Sequence, residues 1–119
     1  MLPRVPFQKI KEAVLGKRYI LSIALLPPRE MKPQMAYRYH KGSPHGVTSK
    51  GGKTSNVLSF PLSKTSGEIL ICPSAGRPYT VEYLFIHGLL HLKGLPHGAT
   101  MESAEQKLLA RFSITKERA

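Results

Sequence analysis

With 119 residues, 41% apolar and 21% charged, the chain can build one modest hydrophobic core but not two, so a single domain over residues 1–119 is expected. A lone cysteine, Cys72, excludes an internal disulfide framework, and no apolar run reaches the length of a membrane span. Eighteen Lys and Arg against seven Glu, with no Asp, give a formal net charge of +11, a balance that suits a polyanionic partner.

The first eighteen residues mix apolar and basic types without a continuous apolar core, so no secretory leader is expected and the cytoplasm is the default compartment. Residues 6–16 read as a short amphipathic helix. Pro6 suits its start, Phe7, Ile10, Ala13 and Val14 form one face, and Gly16 ends it. Tyr19 to Leu26 is nearly all apolar and reads as a buried strand stopped by Pro27 and Pro28.

Residues 29–54 are expected to be irregular, with a short helix after Pro33 and then a flexible basic loop rich in glycine, serine and lysine. From Met31 to Gly67 there are six cations (Lys32, Arg38, Lys41, Lys50, Lys53 and Lys64) and no acid. Such a stretch fits a phosphate backbone, and Lys41, Lys50 and Lys53 are the candidate RNA-binding residues. Gly51-Gly52-Lys53-Thr54 falls short of a phosphate-binding loop, because position 47 is Val47 and no helix pattern follows. No nucleotide cofactor is expected.

Two strands follow, over residues 56–62 and 68–72, joined by a loop of hairpin composition. Cys72 is best read as a small core residue. Residues 73–79 are turn-rich, and Thr80 is a candidate N-cap for the helix that comes next.

That helix carries the chemistry. Residues 80–98, TVEYLFIHGLLHLKGLPHG, contain His87, His91 and His97 in the pattern H-x-x-x-H-x-x-G-x-x-H. Residues four apart share one helix face, so His87 and His91 aim at one point. Gly94 lets the chain leave the helix through a left-handed turn, and His97 returns beside the other two. Three nitrogen ligands with a fourth position open is the arrangement of a catalytic zinc site, one ion per chain. A last amphipathic helix is expected at about 101–113, with Met101, Ala104, Leu108 and Phe112 on its inner face, clamping the sheet.

The histidine spacing is that of the first part of the metzincin signature, except that Gly88 stands where the general-base glutamate would be. A peptidase of that type therefore lacks its base. The run His87-Gly88-Leu89-Leu90-His91-Leu92-Lys93-Gly94-Leu95-Pro96-His97 resembles instead the H-G-x-L-H-L-x-G-Y-D-H signature of the YbeY family of single-strand-specific metallo-endoribonucleases. Ser55 to Pro61 and Gly67 to Cys72 resemble two strand blocks of the same family, in the same order.

The resemblance implies an α+β fold. A small mixed sheet of three to four strands would carry packed helices, with the metal site at the central histidine helix. It implies a zinc-dependent endoribonuclease cleaving single-stranded RNA in ribosomal RNA maturation and ribosome quality control. Ribosomal RNA or the small ribosomal subunit would be the partner, and Arg38, or His40 in the other register, would stand at the position of the family's functional arginine. Two departures open alternatives. An insertion precedes Ser55, and Pro96 replaces the acidic residue before the third histidine, leaving Glu68 and Glu82 as the nearest carboxylates in the motif blocks. The alternatives are a non-catalytic ribosome- or RNA-binding factor that keeps the metal fold, and a metallopeptidase drawing its base from elsewhere.

Overall fold

A computed structural model of the chain describes residues 6–39, 45–47 and 56–118, with side chains over 6–33 and 56–118. The elements run α1 (Phe7–Leu15), β1 (Ile20–Leu25), α2 (Pro28–Tyr39), β2 (His45–Val47), β3 (Val57–Ser63), β4 (Ser66–Ile71), α3 (Val81–Leu92) and α4 (Ala99–Arg111). The strands form one sheet in the order β1-β4-β3-β2. β1 runs parallel to β4, while β3 is antiparallel to both β4 and β2. This is the expected mixed α+β architecture. Among the described residues no helix is long and apolar enough to cross a membrane.

The period-two alternation of β3 and β4 gives the sheet two apolar faces. Val57, Ile69 and Ile71 point to one, where Ile10 and Val14 of α1 and the apolar side chains of α3 cover them. Leu58, Phe60 and Leu70 point to the other, where Met31 anchors α2 beside the fully buried Cys72. The histidine helix thus lies against a sheet that is itself covered from behind.

Helix α1 presents the face its spacing predicts, with Phe7 packed edge-on against Phe85 of α3 at 4.7 Å between centroids. It stops at Gly16, whose φ of 94° lies in the left-handed region. The turn into β1 is closed by a buried cation. Lys11 donates through Nζ to the carbonyls of Gly16, Lys17 and Tyr19 at 3.4, 3.1 and 3.0 Å.

Four expectations need correction. β1 is an edge strand rather than a buried one, with Ile20 72% exposed, because among the described strands it pairs with β4 alone. α2 begins at Pro28, a residue preorganised for the first helical position, and keeps Pro33 inside it. The tract read as a loop contributes β2, which pairs Val47 with Val57 and His45 with Ser59. Three residues with a central glycine carry no alternation for sequence reading to detect. Finally, α4 packs on α3 rather than clamping the sheet.

Helix α3 begins where the sequence places it. Thr80 Oγ1 accepts from the Tyr83 N–H at 3.1 Å, and its own hydroxyl donates to the Thr115 carbonyl at 2.7 Å. Residues Tyr83 to His91 are all buried. A Cβ at Gly88 would stand 3.0 Å from Ser59 Oγ and 3.2 Å from an Ile69 methyl. The missing side chain lets the helix lie flush on β3 and β4, where Ser59 donates to the Gly88 carbonyl at 3.0 Å.

Candidate metal centre

The four-residue step places His87 and His91 on one face of α3, their rings 4.7 Å apart between centroids. The helix ends at Leu92, and Gly94 takes a φ of 104°. Two backbone bonds fix the turn: Gly94 N–H donates to the His91 carbonyl at 2.9 Å, and Leu95 N–H to the Leu90 carbonyl at 3.0 Å. The returning chain brings the His97 ring to 5.0 Å from His87 and 4.5 Å from His91. One nitrogen from each imidazole lies within 4.8 Å of the others, a cluster that could hold a metal ion. His87 and His91 are buried and His97 is exposed, so the cluster opens to solvent on the side of His97.

The hydrogen bonds decide which nitrogens face inward. His91 Nδ1 lies 3.1 Å from the Leu95 carbonyl, which can only accept, so the proton sits on Nδ1. His87 Nδ1 lies 2.6 Å from Glu105 Oε2. Burial raises the Glu105 carboxyl, but the hydrogen bond and charge of His87, with the Tyr83 hydroxyl and Lys116, leave it below the usual carboxylate range. An ionised Glu105 accepts, so His87 also carries its proton on Nδ1. The two Nε2 atoms then face each other at 3.1 Å. A cation placed between them could be held by both nitrogens. In a tetrahedral zinc site, nitrogens about 2.0–2.1 Å from the ion stand about 3.4 Å from one another, close to the spacing of this pair.

Glu105 is the residue that sequence reading missed. It receives the Tyr83 hydroxyl on Oε1 at 3.1 Å and is buried, as few carboxylates are unless paired. The carboxylate on His87 therefore comes from α4, and not from Glu68 or Glu82. A signal was present: Glu105 lies four residues after Met101, within the apolar stripe of its helix. An acid on an inward face needs a buried partner. Pro96, at the position of the family's acidic residue, is exposed. Ser59 turns to the backbone of α3 at Gly88. A glutamate at position 88 would point into β3 and β4, so the peptidase arrangement finds no room there.

The remaining candidates are not brought to the cluster by any described contact. Arg38 falls in the last turn of α2, and its side chain is not among those described. Lys41, Lys50 and Lys53 lie outside the described residues, as does His40.

Fold and site together define a class, an α+β protein whose central buried helix carries a three-histidine cluster able to hold one metal ion. Curated proteins then supply the kinship. Over 89 residues the chain is 34% identical to Endoribonuclease YbeY of Rubrobacter xylanophilus, covering 71% of this chain and 58% of the relative. Over 85 residues it is 33% identical to Endoribonuclease YbeY of Campylobacter jejuni, covering 56% of this chain and 63% of the relative. The resemblance to YbeY proteins read from the motif blocks is thus shown, and the chain spans 58–63% of the length of these relatives. No family model matches the chain, and no solved structure matches it significantly.

Proposed function

We propose that this chain is a zinc-dependent endoribonuclease acting on single-stranded RNA, its ion held by His87, His91 and His97. One observation carries the reading: two buried imidazoles, each with Nδ1 against an acceptor, turn their Nε2 atoms toward each other at 3.1 Å, beside a third histidine. The relatives' printed name, endoribonuclease, supports the choice of reaction.

When bound, zinc supplies Lewis acidity and a water that ionises near neutral pH. The chain's own part is to prepare the place. Glu105 and the Leu95 carbonyl hold the two buried imidazoles in the tautomer that presents Nε2, the role that outer carboxylates and carbonyls commonly take. Burial of His87 and His91 keeps competing water from the inner side of the site, and the open side at His97 admits a flexible strand. Arg38, Lys41, Lys50 and Lys53 hold phosphates and offset charge as a phosphodiester is attacked. The setting is ribosomal RNA maturation in the cytoplasm, carried out by a single domain.

Pro96 favours one second reading, a non-catalytic RNA-binding factor, since it replaces the acidic residue of the related signature. The test is cleavage of end-labelled single-stranded RNA by purified protein, with chelator, zinc add-back and His91→Ala. Cleavage that stops with chelator, returns with zinc and is absent in the variant supports the nuclease. Zinc-loaded protein that binds the RNA and leaves it whole supports the binding factor.

A further inference from the structure

Three segments distant in sequence meet around Gly67, the second residue of β4. Gly67 lies so close to the Tyr19 hydroxyl and the Leu92 side chain that a Cβ there would collide with both. The Ile20 N–H donates to the Thr65 carbonyl at 2.9 Å, and Ile20 stands in register with Ser66. The α1–β1 turn, the β3–β4 turn and the end of α3 are thereby gathered at one end of the molecule.

Each segment brings exposed cations: Lys17 and Arg18 from the first, Lys64 from the second and Lys93 from the third. No acid interrupts residues 13–29, 31–67 or 83–101. Glu68, the nearest acid in the chain, stands on the opposite strand face from Gly67, the face that Ile20 shares through its register with Ser66. Lys93 caps α3 directly after Leu92, on a different side of the helix from His91, so the cations start at the end of the histidine helix. Ile20 and Leu62, the exposed large apolar side chains among the described residues, sit at the same end, 72% and 66% exposed.

We propose that this end is the track along which the RNA strand leaves the histidine cluster. Lys93, Lys64, Arg18 and Lys17 hold its phosphates, while Ile20 and Leu62 lie against bases that are not paired. The proposal rests on the reading of the chain as an RNA nuclease. It is independent of Lys41, Lys50 and Lys53. Cations draw a phosphate backbone by releasing its condensed counterions, so their number is readable from salt dependence. Apolar side chains meet base faces only where the bases are unstacked, which selects a single strand over a duplex.

The experiment is fluorescence anisotropy of a short end-labelled RNA with metal-loaded protein across a salt series, RNA integrity being checked on a gel. At about 0.7 per cation for single strands, the slope of log affinity against log salt should fall by about 2.8 in Lys17→Gln/Arg18→Gln/Lys64→Gln/Lys93→Gln. It should fall by about 1.4 in the gentler Lys64→Gln/Lys93→Gln. Arg77→Gln/Lys107→Gln/Arg111→Gln/Arg118→Gln removes equal charge from α4 and from segments around the start of α3, and should keep the slope. Ile20→Ser/Leu62→Ser should keep the slope and lose preference for single strand over duplex. Equal slopes in the two quadruple variants overturn the track and leave the nuclease reading standing. An unchanged strand preference removes Ile20 and Leu62 from it. Absence of RNA binding by the unaltered protein overturns both the track and the reading beneath it.

Discussion

His87 donates its Nδ1 proton to Glu105 across 2.6 Å, and that bond joins α3 to α4 at the place where the imidazole's other nitrogen faces its neighbours. Replacing the carboxylate should weaken metal binding without removing a ligand. Loss of such an outer partner costs about 10–100-fold in affinity. Glu105→Gln keeps an acceptor and should sit near the low end, Glu105→Leu near the high end. Competition with a chromophoric zinc chelator measures both.

Metal and fold should be linked. An ion that binds only the native state stabilises it by about 2.7 kcal/mol at one hundred times its dissociation constant. Urea unfolding with zinc and with chelator should show a shift of that order, and His91→Ala should show almost none.

Gly88→Ala sets two effects against each other. Alanine gains about 1 kcal/mol of helix propensity, whereas overpacking against Ser59 and Ile69 costs about 1–3 kcal/mol. A net loss of about 1 kcal/mol is expected in urea unfolding. Gly88→Glu should fail to give folded protein.

Lys11→Met keeps the stem of the side chain and removes the ammonium that three carbonyls share. Hydrogen bonds to a charged group contribute about 1.5–3 kcal/mol, so a destabilisation of about 2 kcal/mol is expected. An unchanged urea midpoint would show that water serves those carbonyls equally well.

Tyr83 gives the chain an alkaline dependence. Burial first, then the charge and hydrogen bond of Glu105, push its hydroxyl well above the ordinary tyrosine value. A raised folded-state value means the neutral form is favoured by folding. The stabilisation is complete below about pH 10, the unfolded value, and declines as pH rises beyond it. The urea midpoint of wild type relative to Tyr83→Phe should therefore hold steady from neutrality and fall as pH rises past about 10.

The histidine cluster was legible because its spacing encodes geometry. A four-residue step on a helix and a glycine exit leave little freedom for His97. The hairpin of β3 and β4 and the cap at Thr80 were legible for the same reason, being set by neighbours in sequence. What escaped depends on partners far along the chain. Nothing within residues 45–47 announces a strand, since β2 exists through its pairing with β3. The apolar run of β1 reads as buried until the sheet order places it at the edge. Glu105 takes its meaning from His87, eighteen residues away on another helix.

The three histidines are unequally held. Two belong to a buried helix pinned to the sheet, and the third rides on an exposed segment beyond Gly94. Rearrangement of that segment requires only local opening, at far less free energy than global unfolding. For an ion held as proposed, opening of the His97 segment alone would suffice for release, so the rate at which a chelator strips the site should be set apart from the protein's resistance to denaturant.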